Sequence, residues 1–480
     1  MSLFPAGISK PGPLRVGVVG AGFSGTAVAV HLLAALPAGS RVDLFERDAR
    51  CGRGLAYGTS CPSHWLNVPA GGLALDPQQP EGFVLWLQQR FPGFAGGDFV
   101  PRMLLGQYLA DELAAAEAAG RSRGVSLQRH RCEVLDLERD DEGYRVCGPG
   151  APATTLDRLV LATGHLPPRP PVWPGADWQQ PGFVADPGAA GWLDTVEREA
   201  ELLVLGSGLS AVDVVLALQD RGHRGAITLL SRRGQWPQAH RDLADRPDPG
   251  ASPAPLPDWS GLNRVRPMMR TLRQAAAEAA ARGCDWRDVM ARLRPEIPAA
   301  WQRLGERERR QFLRHVQPWW DSHRHRVAPG IAARLAALRA SGLLHSAAGR
   351  LRQTEHRADG RIELLWDARG GGPARMTVDR VINCTGTSTD LRGGGSPLLA
   401  RLHAKGWLQA DPLGLGLQID ADLSVPGQAG LFYIGPMLKA RDWEATAIPE
   451  LRVHALRLAG ALAGAVTAVT PTRSSPAACC

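Results

Sequence analysis

Lysine is nearly absent from this chain: Lys10, Lys405 and Lys439 stand among basic residues that are otherwise all arginine. The formal net charge is +8 over 480 residues, yet the arginines are scattered and interleaved with acids. That pattern argues against a nucleic-acid-binding stripe and leaves anionic cofactors or substrates as what the charge would attract. No apolar run reaches the roughly 18 residues a membrane span needs, and Met1-Ser2-Leu3-Phe4-Pro5 lacks the charged and apolar regions of a secretory signal. The eight cysteines, at 51, 61, 132, 147, 284, 384, 479 and 480, form neither a CxxC nor any paired metal-ligand spacing. The expectation is therefore a reduced, cytoplasmic protein with no metal and no membrane partner. What remains is a globular composition, 44% apolar, with length for two or three domains.

The informative motif comes early. The apolar run Val16-Gly17-Val18-Val19 is followed by Gly20-Ala21-Gly22-Phe23-Ser24-Gly25, and Glu46 closes the next run, Val42-Asp43-Leu44-Phe45. This is a dinucleotide-binding fingerprint in register. Gly20 makes the turn, Gly22 lets backbone N–H groups approach a pyrophosphate, and Gly25 lets the helix pack on the strands. Glu46, 21 residues beyond Gly25, suits a ribose hydroxyl. A glycine turn that merely packs a helix leaves Glu46 unexplained.

The pattern then recurs. Leu202-Leu203-Val204-Leu205 leads into Gly206-Ser207-Gly208-Leu209-Ser210-Ala211, and the following strand Ile227-Thr228-Leu229-Leu230 ends in Ser231-Arg232-Arg233 rather than in an acid. Arginines at that point suit a 2′-phosphate, hence NADP, although a solvated charged turn is the plainer alternative.

The organisation predicted is α/β, with two nested Rossmann-like dinucleotide-binding domains and a helical insertion. The first domain spans 14–170, ending in a strand that runs into Ala162-Thr163-Gly164-His165 and a proline-dense linker. The second spans 198–378 and contains the insertion, about 235–330, with a proline-rich loop at 246–257 and helices near 262–282, 285–293 and 298–316. Residues 379–468 return to the first domain, opening with the strand Asp379-Arg380-Val381-Ile382-Asn383 and including a helix from Pro449 to Ala463. Residues 469–480 form a loose tail. His323 and His325 would share a face of an extended segment beside Asp321, a spacing a metal can use; the interleaved Arg324 and Arg326 favour an anion or a structural network.

With these motifs in view, the chain resembles the flavoproteins with two dinucleotide-binding domains. More narrowly it resembles the bacterial FAD/NAD(P)-binding family that includes nitrosuccinate-forming aspartate N-monooxygenases and lies near the lysine and ornithine N-hydroxylases. Gly54-Leu55-Ala56-Tyr57-Gly58 and Ile434-Gly435-Pro436 also match, and the narrower likeness rests on Trp65-Leu66-Asn67-Val68-Pro69-Ala70, Trp320-Asp321-Ser322-His323-Arg324-His325-Arg326 and Trp443-Glu444-Ala445-Thr446-Ala447.

The resemblance implies FAD at Gly20, Gly22, Phe23, Ser24, Gly25, Glu46, Thr163, Gly164, Gly435 and Pro436, with the backbone of Val134, in a strand Cys132-Glu133-Val134-Leu135, meeting the adenine. It implies NADPH at Gly206, Gly208, Ser210, Arg232 and Arg233. Asn67 would lie near the isoalloxazine or the nicotinamide, as the one candidate catalytic residue; a turn asparagine before Pro69 is the alternative. Many relatives carry Gly-Asp where this chain has Gly435-Pro436, so backbone groups would take over that contact.

The reaction implied is NADPH-driven oxygenation by O₂ of a small nucleophilic substrate, most specifically amine or amino-acid N-hydroxylation through a flavin hydroperoxide, with the insertion as cover. A flavin reductase feeding a disulfide, quinone or protein partner is the rival enzyme, with Cys51/Cys61 or Cys479/Cys480 as the thiols to consider. A non-catalytic nucleotide sensor is the third reading.

Overall fold

In a computed structural model, residues 12–242, 254–393 and 395–464 are described. The 469–480 tail with Cys479 and Cys480, and most of the proline-rich stretch 246–257, lie outside them.

The chain begins with β1 (Arg15–Val19), α1 (Phe23–Ala35), β2 (Arg41–Glu46), α2 (Gly54–Tyr57), α3 (Gly82–Arg90), α4 (Arg102–Ser122), β3 (Ser126–Arg131), β4 (Asp136–Asp140), β5 (Gly143–Cys147) and β6 (Arg158–Leu161). A second series follows: β7 (Phe183–Val184), β8 (Leu202–Leu205), α5 (Leu209–Asp220) and β9 (Ile227–Ser231). The insertion supplies α6 (Val265–Ala281), α7 (Trp286–Leu293), α8 (Ile297–Arg303), α9 (Glu306–Gln311) and α10 (Gln317–Arg324). Then come α11 (Pro329–Ala340), β10 (Leu344–His356), β11 (Ile362–Ala368), β12 (Pro373–Val378), β13 (Arg380–Asn383), α12 (Pro397–Ala404), β14 (Leu431–Tyr433) and α13 (Ile448–Leu462).

Two sheets organise these elements. The first has the order β14-β6-β1-β2-β3 and is parallel throughout. Helix α1 lies in its core, with Ala27, Val28, Ala29, Leu32 and Leu33 fully buried; a helix apolar on every side needs cover on every side, and α4 and α13 provide it together with the sheet. The second sheet runs β12-β11-β10-β9-β8-β13-β7. Its β10 pairs in parallel with β9 over its first half, then turns antiparallel against β11.

One boundary differs from the sequence expectation. The strand at 380–383, read as opening the return to the first domain, lies inside the second sheet, between β8 and β7. The second sheet also starts earlier than 198, at β7. The physical reason is an internal repeat: β13 stands beside β8 as β6 stands beside β1. The Thr-Gly echo at 385–386 marks the second domain's own copy of the strand that ends in Thr163-Gly164. The return to the first domain therefore comes later than β13, from about Leu391, with α12 packed in the first core ahead of β14.

The insertion departs from the expectation as well. The helix read at 298–316 is divided, because Gly305 is extended (φ −67°, ψ 164°) and caps a new helix, α9. A wide π turn at Phe312–Val316 then leads into α10. Helix α7 begins behind a reciprocal cap, in which Asp285 accepts from the Arg287 amide at 2.7 Å and Asp288 accepts from the Asp285 amide at 3.1 Å.

Candidate functional site

Both glycine turns are built on one atomic plan. The Gly20 amide donates to the Phe45 carbonyl at 2.8 Å, and the Gly206 amide to the Leu230 carbonyl at 2.8 Å. Both residues have positive φ, 99° and 113°. A Cβ on Gly20 would lie 2.4 Å from the Ala162 carbonyl oxygen, and one on Gly206 2.2 Å from that of Cys384. The turns differ at the helix. A Cβ on Gly25 would sit 1.8 Å from the Gly20 carbonyl oxygen, whereas the second turn carries the fully buried Ala211 at the matching place.

The residues present fit nucleotides. Helices α1 and α5 begin without a side-chain cap or an acid in the first turn, so their first N–H groups are available to an anion. A Cβ on Gly208 or Gly164 would meet nothing within 4 Å, which leaves open backbone where a cofactor needs close approach. The Glu46 carboxylate accepts from the amides of Ala21 at 2.7 Å and Asp48 at 3.0 Å, which fixes it against the first turn. Phe23 and Ser24 are buried in the start of α1.

The segment 52–58 folds over this turn. The Gly52 amide donates to the Ala21 carbonyl at 2.8 Å, and Gly54, at φ +53°, comes so close that a Cβ there would lie 3.0 Å from the Gly22 Cα. Val134 is buried, but it lies in the link between β3 and β4 and not in a strand; after the Cys132 amide meets the Glu46 carbonyl at 3.1 Å, the chain leaves the sheet edge for the β4-β5 hairpin. Gly435 and Pro436 follow β14, where the Ile434 amide reaches the Leu161 carbonyl at 2.9 Å. They therefore stand beside the strand end that bears Thr163 and Gly164.

At the second turn Ser210 is exposed and Ser207 is buried, its hydroxyl 2.9 Å from that of Ser231. The two arginines after β9 part company. Arg232 is exposed; Arg233 donates to the carbonyls of Arg314 at 2.8 Å and His315 at 3.3 Å, within the π turn of the insertion.

The domains meet along contacts that the sequence did not reveal. His64 ties the two domains: Nε2 donates to the Asp213 carbonyl at 3.1 Å, and Nδ1 lies 2.9 Å from Thr59 Oγ1. Arg102 pairs with Asp213 at 3.0 Å. Further in, His240 Nε2 lies 2.9 Å from the Asn67 carbonyl, with its ring 4.9 Å from Phe99. A cavity of about 450 Å³ opens beside this contact, walled by Trp65 and Phe99 on one side and by Arg241 and Gly330 on the other.

Burial, reinforced by the cations of Arg326, Arg287 and Arg324, pushes the His240 imidazole down to about 3, against the opposing pull of the Asn67 carbonyl. The ring is thus neutral when folded and takes up a proton below about 6.5 when unfolded. The associated stability is complete above that pH and lost as the pH falls toward 3. Going from pH 7 to pH 5 should cost about 2 kcal/mol through His240 alone. Urea denaturation of wild type and His240→Gln at both pH values checks this; equal losses in the two proteins would refute it.

Two of the motifs that carried the narrower resemblance, Trp320–Arg326 and Trp443–Ala447, prove to be one cluster. Arg324 pairs with Glu444 at 3.1 Å, and Trp320 Nε1 donates to the same carboxylate at 3.4 Å. Trp443 sits in the insertion's apolar core, with ring centroids 4.6 Å from Trp301 and 5.0 Å from Phe312. Arg294 grips Glu450 through two hydrogen bonds of 2.5 and 2.6 Å. His323 and His325 do not share a face, because the segment is helical through Arg324: His323 Nδ1 lies 2.8 Å from the Trp319 carbonyl, and His325 Nδ1 lies 3.7 Å from Asp321. Among the described residues, no helix is long and apolar enough to cross a membrane.

Comparison with known proteins agrees with this architecture. Residues 17–166 match an FAD-NAD(P)-binding family model. The uncharacterised protein YdhS of Escherichia coli (strain K12) is 25% identical over 260 residues, 47% of this chain and 46% of the relative, so the match spans about half of that protein's length. Among solved structures, the Kutzneria sp. 744 ornithine N-hydroxylase KtzI, in its FADred-NADP+-L-orn form, superposes with a TM-score of 0.62 at 17% identity, over 94% of this chain and 99% of that one. The L-lysine 6-monooxygenase of Pseudomonas syringae gives 0.61 at 20% identity, over 95% of this chain and 100% of its own. Residues 17–166 are thus an FAD/NAD(P)-binding domain, and the chain as a whole has the nested two-domain fold seen in N-hydroxylating flavin monooxygenases.

Proposed function

We propose that this protein is an FAD-dependent, NADPH-using monooxygenase that inserts one atom of O₂ into a small nucleophilic substrate, with N-hydroxylation of an amine or amino acid as its most specific form. The supporting observation is the pair of glycine turns built on one plan in two nested sheets, within a fold shared along almost its full length with such enzymes. When bound, FAD would supply hydride acceptance from NADPH and the activation of O₂. The balance is substrate, NADPH, O₂ and a proton giving hydroxylated substrate, NADP⁺ and water.

The chain's own residues bind, orient and exclude. Gly20, Gly22 and Gly25, with the start of α1, hold the FAD pyrophosphate, and Glu46 takes the ribose. Val134 meets the adenine through its backbone. Thr163, Gly164, Gly435 and Pro436 bound the far end, and Asn67 positions the flavin or the nicotinamide. Gly206, Gly208 and Ser210 hold NADPH. The insertion roofs the site and keeps water out, fastened by Arg294 to Glu450 and by Arg324 to Glu444. The 450 Å³ cavity at the domain contact suits a small substrate. Burial raises both the Cys51 and the Cys61 thiols, which counts against this pair as reactive thiolates.

The deciding experiment records the visible spectrum of the purified protein, then follows NADPH oxidation and oxygen uptake across a panel of amines and amino acids. Flavin absorbance, substrate-stimulated NADPH use and a hydroxylated product are expected. NADPH oxidation coupled only to a disulfide or quinone would overturn the reading, as would failure to bind FAD.

Cofactor choice has its own test. Arg232→Ala should raise the KM for NADPH on the order of tenfold while leaving that for NADH unchanged. Arg233→Ala should in addition loosen the π turn that it holds, seen as a lower unfolding midpoint. Equal effects of Arg232→Ala on the two nucleotides would remove its assigned role.

A further inference from the structure

One run of chain, 232–240, links the second glycine turn to the segment around Asn67. At its start Ser207, inside the turn, donates its hydroxyl to the Gln235 carbonyl. Its middle forms a short ladder with the last turn of α10 and the strip after it: the Gln238 amide donates to the Ser322 carbonyl at 2.8 Å, the Val327 amide to the Gln238 carbonyl at 2.9 Å, and the His240 amide to the Val327 carbonyl at 2.8 Å. Arg287 Nε adds a bond to the Ala239 carbonyl at 2.8 Å. The backbone is therefore held along its length by the second domain and the insertion. At its end the His240 side chain crosses to the first domain, where its partners are the Asn67 carbonyl and the Phe99 ring.

A carbonyl only accepts, so the imidazole proton on this contact sits on Nε2. The cations of Arg326, Arg287 and Arg324 act most strongly on the ring. They disfavour an imidazolium, and they would equally disfavour a lysine or arginine in its place. The position calls for a neutral donor of this reach.

We propose that His240 is a positioning residue, a neutral Nε2–H donor that sets the Asn67 segment against the second nucleotide turn and so holds the two cofactor sites in one register. Its catalytic consequence rests on the two-cofactor reading above; the contact itself needs no cofactor.

The test uses full-length protein and three variants. His240→Phe keeps a ring against Phe99 and loses the donor, His240→Gln places an amide N–H near the position of Nε2, and His240→Asn is too short to reach. The first readout is amide hydrogen exchange across 64–70 without added cofactor. The second is the anaerobic rate of FAD reduction by NADPH, set against the NADPH dissociation constant. Losing the donor should speed exchange and slow reduction by about tenfold or more in His240→Phe, with NADPH affinity held within about threefold. His240→Gln should stay within about threefold of wild type on both.

Wild-type behaviour of His240→Phe overturns the proposal, as does a His240→Gln variant as impaired as His240→Phe. If His240→Phe does not fold, the pair Gln and Asn decides: Gln intact with Asn impaired supports the proposal, and equal behaviour overturns it. Should wild type bind no FAD, the monooxygenase reading fails, while the exchange comparison still rules on His240.

Discussion

Replacing Glu444 by alanine should destabilise the protein by about 3–5 kcal/mol, because it strands a guanidinium that cannot return to water. Glu444 is 3% exposed and its partner Arg324 12%. Burial already pulls the Arg324 pKa down, and the Glu444 carboxylate is its main opposing influence. Trp320 would lose its acceptor at the same time. Urea unfolding measures the loss. The control is the double replacement Arg324→Met with Glu444→Leu, which removes both charges and should recover most of the stability. If the single and the double replacement were equally unstable, packing and not charge would be what Glu444 provides.

Gly25→Ala should have an effect of similar size by a different route. The added methyl would sit 1.8 Å from the Gly20 carbonyl oxygen, so α1 must move away from β1 or the turn must open. A cost of about 3 kcal/mol or more is expected, together with loss of bound FAD. Gly208→Ala is the informative contrast. Its φ of −83° suits any residue and a Cβ there meets nothing within 4 Å, so unfolding should change by no more than about 0.5 kcal/mol. On the proposed reading the methyl would stand where the NADPH pyrophosphate approaches, and NADPH binding should weaken on the order of tenfold. Thermal unfolding and nucleotide titration of both variants separate a glycine needed for folding from one needed for the ligand; equal destabilisation would refute the distinction.

The glycine turns were legible because their requirement is steric and local: Gly20, Gly25 and Gly206 have no room for a Cβ, whatever the rest of the chain does. Strand identity at 380–383 was legible too, but its membership was not, since the choice between two sheets is made by partners as distant as Leu202 and Phe183. The spacing of His323 and His325 misled because two residues on a helix lie about 200° apart, whereas two on a strand share a face. His240 carried no signal at all: its meaning comes from Asn67, 173 residues away. Arg232 and Arg233 were indistinguishable as letters, and only the π turn at 312–316 separates an exposed cation from one already engaged.

The two strands that bound the second domain, β7 and β13, are neighbours, and the chain's two crossings touch where Leu166 bridges Ser388. Such a twin crossing is by itself a hinge about one axis. The insertion, which sprouts from the hinged domain, is bolted to the first domain at Glu444 and Glu450 and lends Trp443 a place in its core. Hinge and bolt together close a mechanical ring. A swing of the whole domain would have to break the ion pairs at Glu444 and Glu450 together with Arg102–Asp213 and open an aromatic core, so nucleotide and product are expected to come and go by the cleft edge with the domains at rest. The same ring implies that the second domain, although its ends meet, is not a detachable module: cut out, it would carry away an unfinished core.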